Sequence, residues 1–180
     1  MRELSLNILD VAQNSITAGA SLITIEVSEN RNDHTLLIGI YDNGKGMSEE
    51  QVKSVIDPFF TTRTTRKVGM GIPLFKMAAE QTGGNLEIKS ELGIGTEVKA
   101  FFKKDSVDFT PLGDVASTIQ MLVTMNTDRD FVYKHSVDSK EFVCDTRQIK
   151  EILGDVPLDT YEVSKWLIEF IKENTEVLYK

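Results

Sequence analysis

The hexapeptide Asp42-Asn43-Gly44-Lys45-Gly46-Met47 constrains this chain more than any other stretch. Before it, TLLIGIY is apolar and rich in strand-favouring residues; after it, SEEQVKSVI has the serine start and periodic apolar positions of a short helix. An aspartate is therefore delivered at the end of a strand, into a turn. Glycines at alternate positions allow positive φ and let a flat ligand approach the backbone, while the carboxylate accepts hydrogen bonds from an amine. That combination suits adenine. By itself the hexapeptide is equally an ordinary Asp-Asn-Gly turn joining strand to helix, so the flanking chain has to decide between the two.

Upstream, Leu4, Ile8, Val11 and Ile16, with Leu6, Leu9 and Ala12 beside them, have the spacing of a helix that starts almost at the first residue and ends at Gly19. Asp10 and Asn14 are four apart on it, so their side chains share a face, with Asn7 close by. Such a pair is either the solvent side of the helix or a polar face turned to a ligand. SLITIEVS (21–28) and TLLIGIYD (35–42) alternate as paired strands, joined by a polar connection that contains His34.

Downstream of the hexapeptide and its helix, Asp57-Pro58-Phe59-Phe60-Thr61-Thr62 and then RTTRK lack periodicity and read as a loop. Loops of about a dozen residues are usually functional or disordered. In KVGMGIPLFKMAAEQTGG, Gly69 and Gly71 precede Ile72 and Pro73, and a proline in the first helical turn leaves the amides before it free. Free amides at a helix start, with Arg63, Arg66 and Lys67 just upstream, can cradle phosphate, although a short GxG before a helix is also common punctuation. NLEIKS and TEVKAFFK supply two more strands around Gly93-Ile94-Gly95-Thr96. Four strands and three helices predict a two-layer α/β domain over residues 1–104.

LDVAQNSITAGA, DNGKGM, DPFFTT, GMGIPL and GIGT, in this order, resemble the N, G1, F, G2 and G3 boxes of the GHKL group: gyrase B, the heat-shock chaperone, histidine kinases and the mismatch-repair ATPase. The resemblance covers residues 3–104. It implies an α/β sandwich of the Bergerat type that holds ATP with magnesium. Asp42 then corresponds to the aspartate that accepts from the adenine amine, with Gly44, Gly46 and Met47 in its turn and Thr96 beside it. Asn14 matches the asparagine whose oxygen binds magnesium, and Asp10 takes the catalytic position. Gly69, Met70, Gly71 and Ile72 would lie under the phosphates. Phe59, Thr61, Thr62, Arg63 and Lys67 would belong to a mobile lid, residues 59–70. Where the mismatch-repair and gyrase members carry a Glu that orients the attacking water, this chain has the shorter Asp10. The histidine-kinase members need a phosphoacceptor helix ahead of the ATP domain, and neither His34 nor His135 has such a setting, so the expectation is a core without the phosphoacceptor domain.

Residues 105–180 are read as a small acidic α/β appendage. Lys and Arg number 12 against 13 Asp and Glu over residues 1–104, but 8 against 15 over residues 105–180, so nearly all of the net charge of -8 falls in this second unit. PLGDVASTIQMLVTM predicts a helix, FVYKHSV and EFVCDT a hairpin, and RQIKEIL and TYEVSKWLIEFIKENTEVL two closing helices, with Trp166, Ile168 and Ile171 expected to pack as core. His135 and Asp145 are expected to be structural.

Charge of this sign argues against general nucleic-acid binding, and no run of about 18 apolar residues exists to span a bilayer. Acids appear too early for a secretory signal, so a cytoplasmic location is expected. A single cysteine, Cys144 in an apolar run, excludes an intramolecular disulfide and reads as buried packing. Three functions stay open: an ATP-dependent phosphotransferase or regulatory kinase acting on a partner protein, like a histidine-kinase core or an anti-sigma serine kinase; a slow ATPase that switches partner binding; or a nucleotide-binding module without turnover. The partner and the oligomeric state are left open.

Overall fold

The computed structural model describes residues 3–57 and 70–180. Its elements follow the order α1 (Leu4–Thr17), β1 (Leu22–Asn30), β2 (Thr35–Asp42), α2 (Glu49–Ile56), α3 (Gly71–Gln81), β3 (Asn85–Glu91), β4 (Gly95–Lys103), α4 (Val115–Met125), β5 (Asp130–Val137), β6 (Lys140–Asp145), α5 (Thr146–Leu153) and α6 (Tyr161–Val177). The strands form one six-stranded sheet in the order β3-β4-β2-β1-β5-β6. All neighbours are antiparallel except β1 and β5, which run parallel with Ile25 opposite Tyr133.

Alternation along the strands decides which face is covered. Ile23, Ile25 and Val27 of β1, Leu36, Ile38 and Ile40 of β2, and Val98, Ala100 and Phe102 of β4 are all buried, and the residues between them, buried Gly39 apart, are more exposed. Against that face lie the apolar stripes of α1 (Leu4, Ile8, Val11, Ala12), α3 (Ile72, Phe75, Ala79), α4 (Ile119, Leu122, Val123) and α6 (Val163, Leu167, Ile171), which join the strand residues in a single core. The result is the two-layer α/β architecture, helices over one face of a mostly antiparallel sheet.

Residues 105–180 contribute β5, β6 and three helices to this same sheet and core. The connection before α4 also crosses the start of α1: the amides of Leu4 and Ser5 donate to the carbonyls of Pro111 and Leu112 at 2.8 and 2.9 Å, and Glu3 Oε1 accepts from the Asp114 amide at 3.0 Å. Side chains begin several helices. Ser48 and Gln51 form a reciprocal capping box on α2, Asp114 caps α4, Asp145 caps α5 and Thr160 caps α6.

The three core expectations on α6 divide. Ile171 is buried and Ile168 packs against the core, but Trp166 is 44% exposed and stacks on Phe170 with ring centroids 4.8 Å apart. Trp166 directly precedes buried Leu167 and is turned about 100° round α6 from it, to the edge of the buried stripe, which a helix of mixed polarity does not reveal by spacing alone. Cys144 is buried, and burial pushes its thiol up to about 12. His135 is buried between two tyrosines: its Nδ1 lies 2.7 Å from the Tyr133 hydroxyl and its Nε2 3.4 Å from that of Tyr179.

Candidate functional site

Antiparallel pairing puts Asp42, the last residue of β2, opposite Thr96 of β4 on one side and Ile23 of β1 on the other. Its carboxylate is held at both oxygens. Oδ2 accepts from Ser15 Oγ at 2.6 Å and Oδ1 from the Gly44 amide at 2.8 Å. Each carboxylate oxygen has two acceptor positions, so both retain capacity for another donor. Asn43 faces the other way: its Oδ1 accepts from the amides of Ser21 and Leu22 at 2.8 and 3.1 Å, and its Nδ2 donates to Ser21 Oγ. The Lys45 amide donates to the Ala18 carbonyl at 2.9 Å, so the turn is seated on the end of α1.

The β3–β4 hairpin closes the other side. Gly93 N donates to the Lys45 carbonyl at 2.7 Å, and the Met47 amide donates to Ser90 Oγ at 2.8 Å. Ser90 Oγ in turn lies 2.8 Å from Thr96 Oγ1, fixing that hydroxyl next to Asp42. Two glycines permit this approach. At Gly46 (φ +72°) a Cβ would stand 2.0 Å from the Glu91 carbonyl oxygen, and at Gly95 (φ +147°) it would stand 1.9 Å from that of Asp42.

On α1, Asp10 and Asn14 follow one another on a stripe, as four-residue spacing requires. Asn14 is exposed and Asp10 half-buried, and this loss of solvent raises the Asp10 carboxyl above its ordinary pKa. The first residue of α3 meets this stripe: a Cβ on Gly71 would be 3.1 Å from Asp10 Cβ. Met70 caps α3 without a side-chain hydrogen bond. Asn7, one turn before Asp10, is 1% exposed, and neither of its amide atoms has a hydrogen-bond partner among the described residues.

The structure thus brings Asp42, Gly44, Gly46, Met47 and Thr96 into one cluster and sets Asp10 against Gly71, with Met70 and Ile72 at the same helix start. Phe59, Thr61, Thr62, Arg63, Lys67 and Gly69, with most of the expected lid, lie outside the described residues. Two partners of the cluster went unread in the sequence, Ser15 and Ser90. Each is a serine at an inward position, Ser15 on the buried stripe of α1 and Ser90 in register after Leu86 and Ile88, and a hydroxyl where the period calls for an apolar side chain is the available signal. Among the described residues no group of three or more His, Cys, Asp or Glu could hold a metal ion by itself. A cavity of about 620 Å³ lined by Asn30, Thr35 and Lys103 belongs to the opposite end of the sheet and includes none of the cluster.

Residues 1–106 match the family described as histidine kinase-, DNA gyrase B-, and HSP90-like ATPase. The chain belongs to that family. Among proteins similar in sequence to this ATPase-family chain, sensor protein SrrB of Staphylococcus aureus (strain NCTC 8325 / PS 47) is 37% identical over 101 residues, covering 53% of this chain and 17% of that protein. A putative sensor protein of Shewanella frigidimarina is 28% identical over 103 residues, covering 57% of this chain and 15% of that protein. The chain therefore matches only a small part of the length of these relatives.

Similarity of fold extends further along this family member. The N-terminal domain of a DNA repair protein aligns with a TM-score of 0.60 at 13% identity, covering 86% of this chain and 58% of that one. The Aquifex aeolicus MutL ATPase domain, solved with ADP, aligns with a TM-score of 0.52 at 16% identity, covering 85% of this chain and 69% of that one. Coverage of this extent takes in strands and helices beyond residue 106.

Proposed function

We propose that this chain binds ATP with magnesium and acts as an ATP-dependent phosphotransferase or regulatory kinase on a partner protein. Family membership supports ATP binding. One observation carries the assignment of the site: Asp42, at the mouth of the clasped turn, has both carboxylate oxygens oriented by fixed donors and keeps acceptor capacity for an exocyclic amine. Thr96 Oγ1, positioned through Ser90, stands ready as a second polar contact to the base.

The other roles follow from chemistry and placement. Magnesium prefers few protein ligands and keeps waters and substrate phosphates in its shell, so an exposed amide oxygen on Asn14 fits a cation that arrives with the nucleotide. Bound there, the ion would offset phosphate charge. Gly71 and Ile72 at the start of α3 offer amides and the positive end of a helix dipole to the phosphates, and the basic residues 63–67 would add charge. Asp10, partly desolvated and therefore more basic than an ordinary carboxylate, is placed to take the proton from an acceptor hydroxyl or a water.

A second reading, a slow ATPase that switches partner binding, is supported by the closeness of Asp10 to Gly71, since a carboxylate beside the amides proposed for the phosphates would orient a water. Binding without turnover is the outcome if the shorter Asp10 reaches neither water nor acceptor. No helix among the described residues is long and apolar enough to cross a membrane. Incubation with γ-labelled ATP and magnesium, alone and with cell extract, separates the readings. A labelled protein band supports transfer; free phosphate alone supports the ATPase; unlabelled protein with no phosphate release supports a binding module.

A further inference from the structure

We propose that Arg129 is a positioning residue for the adenine end of the site, through which residues 105–180 set nucleotide selectivity; the inference rests on the nucleotide reading given above. Arg129 lies in the turn between α4 and β5, with a side chain only 19% exposed. Its Nη1 donates to the Ala20 carbonyl at 2.9 Å and to the Ile16 carbonyl at 3.2 Å. The Ile16 carbonyl, in the last turn of α1, already accepts from the Gly19 amide at 3.0 Å, and the guanidinium adds a second, charged donor where the negative end of the helix dipole lies. The backbone joins in: Asp130 N donates to the Ser21 carbonyl at 2.8 Å.

Residues 15–21 are thus gripped from one side by Arg129 and Asp130. From the other side they hold the Asp42 turn. Ser15 Oγ binds Asp42 Oδ2, the Ala18 carbonyl receives the Lys45 amide, and Ser21 exchanges hydrogen bonds with Asn43. The guanidinium therefore stands one layer behind Asp42 and touches none of the cluster. The other end of α1 is tied to the same part of the chain through Pro111, Leu112 and Asp114. Asp128 is no competitor for this role of Arg129: it is 73% exposed on its side chain, and its contacts with the guanidinium are long, 3.4 and 3.5 Å.

A loosened segment 15–21 lets the Asp42 carboxylate drift, which matters for the base and not for the phosphates. Adenine offers an amine where guanine has a carbonyl oxygen, so a fixed carboxylate accepts from the first and repels the second. The test is calorimetry of the full chain with magnesium and ATP, GTP or inorganic tripolyphosphate, on the parent, Arg129→Gln, Arg129→Lys and Asp128→Asn. Arg129→Gln is expected to weaken ATP about tenfold, an amount equal to one lost charge-assisted hydrogen bond. It is expected to narrow the ATP-to-GTP ratio by a similar factor and to leave tripolyphosphate within about twofold. Arg129→Lys, which keeps one charged donor at the carbonyls, should restore part of the ratio, and Asp128→Asn should match the parent. A merely structural arginine, or one acting by distant charge, would move all three ligands together. An unchanged ATP-to-GTP ratio in Arg129→Gln overturns the proposal. Should that variant not fold, an Arg129→Lys ratio equal to the parent's does so instead. A parent that binds no ATP removes the nucleotide reading itself, and this inference with it.

Discussion

Ser15 Oγ donates a 2.6 Å hydrogen bond to Asp42 Oδ2, tying the last turn of α1 to the end of a central strand. Ser15 is 3% exposed, so the bond is sheltered on the serine side and charge-assisted on the other. Removing it by Ser15→Ala leaves one carboxylate oxygen without its orienting donor. A hydrogen bond to a charged group is worth about 1.5 to 3 kcal/mol, so both thermal stability and ATP affinity should fall, the affinity by about threefold to tenfold. Titration calorimetry and a melting curve on the same preparation check both.

On the proposed function, Asp10 and Asn14 divide the work at the phosphate end. A carboxylate near polyphosphate adds no favourable ground-state attraction, whereas a positioned general base typically contributes about 10² to 10⁴-fold to rate. Asp10→Ala is therefore expected to bind ATP as well as or better than the parent while losing turnover or transfer by that factor. Asn14→Ala should lose magnesium-dependent binding and activity together. Side-by-side rates and affinities with and without magnesium give the answer, and an Asp10→Ala protein with full activity would reduce that carboxylate to helix surface.

Acid should weaken the fold through His135. Burial lowers its pKa to about 4, against an opposing pull from the Glu29 carboxylate, while the unfolded chain titrates near the ordinary 6.5. Between these values the unfolded state binds the extra proton, so stability is complete above about pH 6.5 and declines as pH falls through 4. The full loss is on the order of 3 kcal/mol. Denaturant melts from pH 7 to pH 4 should show this slope, and His135→Gln should flatten it by one proton.

Asn7 presents an unpaid desolvation. Both polar atoms of this buried amide lack partners among the described residues, and an unpartnered buried group costs about 1 to 3 kcal/mol. Asn7→Leu, of similar size and apolar, should raise stability by that order. For a chain of this length the midpoint should rise by at least about 2 °C. A lowered melting temperature would mean that the amide has a partner in solution.

Most of the elements were legible because their periods are clean: the stripe Leu4, Ile8, Val11 on α1, and the alternation of Ile23, Ile25, Val27 on β1. The ordered motifs located Asp42 and Thr96, which strand register then placed opposite one another. Pairing of β1 with β5 was not legible. Phe131, Tyr133 and His135 point inward in the same way whether the β5–β6 hairpin stands alone or joins a larger sheet, and charge imbalance reports surface, not hydrogen bonding. Nor could spacing reveal Arg129, whose partners are backbone carbonyls more than a hundred residues away. Side-chain-to-backbone contacts at such separation leave no periodic trace.

On the proposed function, adenine is read by the Asp42 carboxylate. Asp42→Asn keeps the shape but turns one acceptor oxygen into a donor that faces the amine. Calorimetric titration of magnesium-ATP into parent and variant tests this most directly. The affinity expected for Asp42→Asn is at least about tenfold lower, the loss of one charged hydrogen bond; equal affinities in the two proteins would rule out adenine recognition by Asp42.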